Sequence, residues 1–143
     1  MIALSAGSVR AIRNHGAAGY PLECCGALLG SEVAADERRV SEAWPLTNAA
    51  AATPERRFSV APADYRRAEA RAAASGGALL GFYHSHPDAP ARPSSEDLAH
   101  AWPNLAYVIV SIERGQPGEI SCWRLREDRS GFDREDITWP TEF

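Results

Sequence analysis

The chain contains no lysine: all 15 of its basic residues are arginine. It therefore cannot accept an amide-linked partner protein through a side chain, and beside so much alanine the bias is taken as one of coding, with no function drawn from it. Cysteine is scarce. Cys24, Cys25 and Cys122 make an odd set without C-x-x-C spacing, which excludes a disulfide framework and a cysteine zinc knuckle and reads as reduced thiols. No apolar run approaches the roughly 18 to 20 residues of a membrane helix. The amino-terminal stretch "MIALSAGSVRAIRNHGAAGY" interleaves charge with apolar residues and lacks the basic-then-apolar order of a signal peptide. These absences predict a cytoplasmic protein with no membrane contact. There is no basic stripe either: the net charge is −4 with arginines scattered along the chain, which argues against a nucleic-acid partner.

What remains is an ordinary globular composition, 45% hydrophobic and 24% charged over 143 residues, which predicts one domain spanning 1–143. Ser5 is placed to cap a helix through Ala18 that Gly19 and Pro21 would end. "CCGALLG" and "RRVSEAWPL" read as strands, the second alternating Val40, Glu42 and Trp44, and the two as a hairpin around "SEVAADE". "LTNAAAATPE" reads as a loop, "RRFSVAP" as a short strand, and "PADYRRAEARAAASGG" as a helix opened by Pro62. "ALLGFYHSH" is a strand stopped by Pro87, "SSEDLAHAW" starts a short helix, and "LAYVIVSI" is the strongest strand signal; "EISCWRL" and Ile137 to Trp139 complete the set. Helices and strands are mixed without an internal repeat, so the class is α/β or α+β around a central sheet.

The chemistry gathers in "GFYHSHPDAPARPSSEDLAHAW", Gly81 to Trp102. Residues two apart in a strand share a face, so His84 and His86 present both imidazoles to one point while Ser85 faces away. Neutral imidazole suits zinc, and a catalytic zinc site takes three protein ligands and keeps a fourth position open. The ten residues between His86 and Asp97 include three prolines and can turn the chain so that Asp97 returns beside the strand end. A two-histidine, one-carboxylate set also fits non-haem iron. Ser94 to Asp97 equally matches a helix capping box, a role compatible with ligation.

H-x-H-P, six residues, then S-x-x-D, as in "HSHPDAPARPSSED", resembles the signature of the JAMM (MPN-plus) metalloprotease family. The family's upstream E-x-x-G-x-L-x-G is matched by "ECCGALLG", Glu23 to Gly30, and the order of elements agrees over most of the chain. The resemblance implies a mixed, curved β-sheet flanked by helices, with a cytidine-deaminase-like architecture. It also implies one zinc per chain held by His84, His86 and Asp97. Glu23 would then orient and deprotonate the zinc-bound water, and Ser94 would help stabilise the oxyanion. The base is not supplied by an H-E-x-x-H helix, and the H-x-E with P-C-x-x-C of base deaminases is absent. Cys25 shares a face with Glu23 and stands as an occasional ligand or redox brake, although a cysteine in such a strand is more often a small buried apolar residue.

The family cleaves ubiquitin or ubiquitin-like proteins from conjugates, and the chain is similar to its short prokaryotic members. That implies hydrolysis of a peptide or isopeptide bond after the carboxyl-terminal Gly-Gly of a ubiquitin-like or sulfur-carrier protein, its tail pairing with a sheet edge. Two alternatives stand beside it: a non-catalytic MPN-type scaffold, and a metal-dependent hydrolase of another substrate. Trp44, Tyr83 and Trp102 are conceivable groove contacts with no role assigned, His15 and His100 are expected on helix surfaces, and homodimerisation is left open.

Overall fold

A computed structural model describes residues 1–48 and 60–140. Its elements are β1 (Ile2–Leu4), α1 (Ala6–Gly19), β2 (Cys25–Ala34), β3 (Glu37–Leu46), α2 (Pro62–Ala74), β4 (Ala78–Pro87), α3 (Ser95–His100), β5 (Ala106–Glu113), β6 (Gln116–Leu125), β7 (Phe132–Glu135) and β8 (Ile137–Thr138). The loop expected at "LTNAAAATPE" and the strand expected at "RRFSVAP" fall largely outside the described residues. No helix among those described is long and apolar enough to cross a membrane.

The strands form one mixed sheet in the order β7-β6-β5-β4-β2-β3-β1-β8. β4 lies at its centre, antiparallel to β2 and parallel to β5. α1 starts where Ser5 accepts the Ser8 N–H at 3.1 Å, and its buried Val9 and Ile12 join Leu28, Tyr83, Val108, Val110 and Ile112 on one sheet face. α2 begins with Pro62 and lays Ala68 and Ala72 on the other face, against Ala27, Leu29 and Phe82. Residues this small let a helix approach a sheet closely. The α/β class read from the sequence, with a mixed sheet flanked by helices, is the one observed.

Two strands escaped the sequence reading. β1 has three residues and pairs with β3 and β8, and β7 is a polar edge strand on β6. The alternation expected of Val40, Glu42 and Trp44 is also corrected. Leu29 pairs with Glu42 but Gly30 with Val40, leaving Ser41 as an extra residue. That bulge flips the faces: Val40 packs in the α1 layer and Trp44 against the α2 layer.

Both glycines of "ECCGALLG" have a steric reason. A Cβ on Gly26 would overlap the Tyr83 ring across the strand pair, and one on Gly30 would overlap the Arg39 carbonyl at the bulge.

Candidate metal centre

Alternation along β4 sends Phe82, His84 and His86 to the α2 face and Tyr83 and Ser85 to the α1 face. The two imidazole Nε2 atoms converge to 3.1 Å. Asp97 enters from the first turn of α3, with Oδ1 3.2 Å from His84 Nε2 and Oδ2 3.1 Å from His86 Nε2. A tetrahedral zinc with bonds of about 2.0–2.2 Å holds its ligand atoms about 3.3–3.6 Å apart, and the separation of the two Nε2 atoms, like that of each from its nearer Asp97 oxygen, is within a few tenths of an ångström of this. With Glu23, their candidate ligand atoms all lie within 4.8 Å of one another.

His86 Nδ1 lies 2.9 Å from the Pro90 carbonyl, which can only accept, so Nδ1 carries a proton and Nε2 is the nitrogen turned to the cluster. Burial holds His84 below its ordinary pKa against the pull of Asp97. Burial also disfavours charge on Asp97, but the two imidazoles and the Ser94 N–H outweigh it and hold the carboxyl well below the usual range. For His86, burial lowers the pKa, but the hydrogen bond and charge of Asp97, with the Pro90 carbonyl and the charge of Glu23, together outweigh it and leave the pKa raised. Two imidazole nitrogens and a carboxylate converging on one spot are held together by a cation or by protons shared between them.

Glu23 stands just before β2 with 6% of its surface exposed, and its Oε1 is buried with no hydrogen-bond partner among the described residues. Burial pushes its carboxyl up to about 8; the charge of His86 opposes the rise and that of Asp97 adds to it. Such an oxygen beside three metal-type ligands is suited to exchanging a proton with water.

Ser94 caps α3 in a complete capping box: its Oγ accepts the Asp97 N–H at 3.1 Å, and Asp97 Oδ2 accepts the Ser94 N–H at 2.8 Å. The serine is exposed, and its hydroxyl proton is not consumed by the cap. Capping and convergence on the histidines therefore coexist in Asp97.

Cys25 lies directly across the strand pair from His84, fully buried, with its thiol pushed up to about 12 by burial and by nearby negative groups. It is outside the converging cluster. Tyr83 is not a groove residue: it is wholly buried on the α1 side, where its hydroxyl meets His15 Nδ1 at 2.7 Å. His15 is accordingly half-buried, which corrects its expected place on the helix surface, whereas His100 is exposed. Trp102 is 39% exposed and, with Phe82, Tyr107 and Arg129, lines a cavity of about 210 Å³ that opens onto His84 and Asp97.

Sequence reasoning missed the residues that hold the site in place. Ser85 binds Cys24 beside Glu23, and Asn48 donates to the Glu23 carbonyl at 3.1 Å. The loop from Asp88 to Ala91 is tied down throughout. Asp88 accepts the Arg114 N–H and the Tyr20 hydroxyl, and Ser111 and Ser121 donate to the carbonyls of Ala89 and Ala91. The available signal was polar residues inside otherwise apolar strands.

Comparison with known proteins agrees with this geometry. Residues 5–126 match the family described as prokaryotic homologs of the JAB domain. The chain belongs to that family. The JAMM resemblance carried by "HSHPDAPARPSSED" thus holds at the family level. Among curated relatives, tail tip assembly protein K of Escherichia phage N15 is 39% identical over 82% of this chain, which spans only 51% of the phage protein. A protein of Haloferax volcanii named desampylase is 36% identical over 77% of this chain and 80% of its own length. A solution structure of a Desulfitobacterium hafniense protein superposes with a TM-score of 0.84 at 35% identity, over 99% of this chain and 94% of its own. For this JAB-family chain, the histidine, aspartate and glutamate group is compatible with a zinc site.

Proposed function

We propose that the chain is a zinc-dependent peptidase that hydrolyses the peptide or isopeptide bond after the carboxyl-terminal Gly-Gly of a ubiquitin-like or sulfur-carrier protein. The observation that carries this reading is the convergence of His84, His86 and Asp97 beside the buried, unpartnered Oε1 of Glu23. A structural site has no use for a protonatable carboxyl at its margin, and a scaffold has no use for the ligand set. The relative named desampylase supports the substrate class.

His84, His86 and Asp97 would hold the metal. When bound, zinc supplies Lewis-acid polarisation and lowers the pKa of water from about 16 to about 7. Glu23 then takes the proton of the attacking water and delivers it to the leaving amine; its elevated pKa suits both transfers near neutrality. The Ser94 hydroxyl donates toward the scissile carbonyl oxygen as negative charge develops there. Pro90 fixes the tautomer of His86 throughout.

The test is mass spectrometry of small carrier proteins, each extended by a few residues past Gly-Gly, incubated with zinc-loaded wild type and with Glu23→Gln. Cleavage directly after Gly-Gly by wild type alone is the expected result. The phage relative favours, as a second reading, the same hydrolysis on an unrelated protein substrate. No cleavage of any carrier, with one zinc bound per chain, would favour that reading over the first.

A further inference from the structure

The structure assigns Ser111 and Ser121 as positioning residues that hold the Pro90 carbonyl against His86 and so fix the donor state of that imidazole. The inference rests on the reading of His86 as a metal ligand and extends it to two side chains that touch neither the metal cluster nor the substrate path.

Strand register places both serines on the site face. Ser111 on β5 pairs with His86 on β4, and Ser121 on β6 pairs with Ile109, itself the partner of His84. Their neighbours Val110, Ile112, Ile120 and Cys122 all point into the opposite core layer. A hydroxyl at such a position is costly unless it is bonded, and each has a specific partner. Ser111 Oγ donates to the Ala89 carbonyl at 2.6 Å. Ser121 is fully buried and donates to the Ala91 carbonyl.

The direction of the second bond is fixed by a third group. Trp123 Nε1 lies 2.7 Å from Ser121 Oγ, and an indole nitrogen can only donate, so the single serine proton goes to Ala91. The carbonyls on either side of Pro90 are thereby pinned to two different strands, and the one between them accepts the Nδ1–H of His86. Proline cannot donate a backbone hydrogen bond, so residue 90 has no amide with which to anchor itself. Its carbonyl accepts the Arg92 N–H at 2.8 Å within the loop, and the clamp's ties to the sheet run through its neighbours. Loss of either serine frees one flank of Pro90. The His86 ring can then tilt, or take the other tautomer and turn a protonated Nε2 toward the metal position.

The experiment compares wild type with Ser111→Ala, Ser121→Ala and the double variant, and with Ser111→Thr and Ser121→Thr, which keep the hydroxyl. Zinc affinity is read by chelator competition, and the ring nitrogens of His86 in the metal-free proteins by nitrogen-15 NMR. Outer-shell partners of metal-bound histidine typically contribute 10- to 100-fold in affinity. We expect each alanine variant to bind zinc about 10-fold more weakly and to lose the single Nδ1–H signature. Each threonine variant should stay near wild type in both. Alanine variants with wild-type affinity and an unchanged His86 ring would overturn the assignment. So would threonine variants as impaired as the alanine ones, which would mean that packing and not the hydroxyl matters. Because neither readout uses hydrolysis, a wild type that binds zinc through this clamp yet cleaves no carrier would refute the proposed substrate and leave the clamp standing.

Discussion

Ser85 and Cys24 grip each other from both sides: Ser85 Oγ accepts the Cys24 N–H at 2.9 Å, and the Ser85 N–H donates to the Cys24 carbonyl at 3.1 Å. The residue between the two histidines thus fastens the residue after Glu23, so the strand bearing the imidazoles also sets the position of the carboxyl. Ser85→Ala leaves a buried N–H without its partner, which costs about 1–3 kcal/mol. Urea unfolding of the metal-free protein should show that loss. Carrier cleavage should fall further than zinc occupancy does, because Glu23 drifts while the histidines stay. Unchanged stability would show that this pair adds nothing to the fold.

Asp97 has two tasks that a single substitution can separate. The amide of Asp97→Asn can still accept the Ser94 N–H through its oxygen and keep α3 capped, but it carries no charge between the imidazoles. Asp97→Asn should therefore keep the cap, while the metal-free protein loses the stability that the ionised carboxyl gains from the two imidazoles near neutral pH. Its zinc affinity should fall at least a hundred-fold, as should that of His84→Ala or His86→Ala, measured by competition and by metal content per chain. Full zinc content in Asp97→Asn would remove Asp97 from the ligand set.

The converging residues were legible in the sequence because period-two alternation is rigid: His84 and His86 had to share a face once β4 was recognised, and Ser94 with Asp97 had to start a helix. Glu23 was legible only through its motif, since nothing local distinguishes it from a solvated glutamate. What escaped depends on distant pairing. Ser111 and Ser121 lie on strands far from the loop in sequence, and only the sheet register places them under Ala89 and Ala91. The Ser41 bulge depends on Gly30 facing Val40, which no window on β3 alone can show. β1 is too short for any period to register, and β7 has the polarity of an edge.

Glu23→Gln keeps the shape of the side chain and removes its capacity to move a proton. On the proposed reading, in which three other groups would hold the metal, the variant should bind zinc as wild type does, while hydrolysis falls about 10²- to 10⁴-fold, the usual contribution of a positioned base. Single-turnover cleavage of an extended carrier, with metal content measured on the same sample, checks both halves. Residual activity within tenfold of wild type would exclude Glu23 as the base.

Ser94 is open to a similar separation. Ser94→Ala removes the acceptor of the Asp97 N–H and should cost about 0.5–2 kcal/mol as a lost helix cap, whereas Ser94→Asp restores a cap but offers no hydroxyl donor. If the hydroxyl donates to the developing oxyanion, both variants lose turnover although only the alanine loses the cap. Recovery of turnover in Ser94→Asp would reduce the residue to a cap.

The buried carboxyl of Glu23 also predicts how the metal-free protein responds to pH. Its pKa is about 8 when folded and near 4.3 in an unfolded chain. Between those values the folded state keeps a proton that the unfolded state has released. Stability from this group is thus fully present below about pH 4.3 and is lost as pH rises through about 8, with a limiting slope of about 1.4 kcal/mol per unit. Asp97 is held in the opposite direction and is already ionised across that window, so it contributes no slope there. Because the charges of Glu23 and His86 act on each other, the difference between wild type and Glu23→Gln reads the glutamate together with its coupling to His86. Denaturant unfolding in the presence of chelator at several pH values should show wild type losing ground to Glu23→Gln steadily from about pH 5 to pH 8. Parallel curves would mean that Glu23 is ionised in the folded protein, and the proton it is proposed to exchange would have to reside elsewhere.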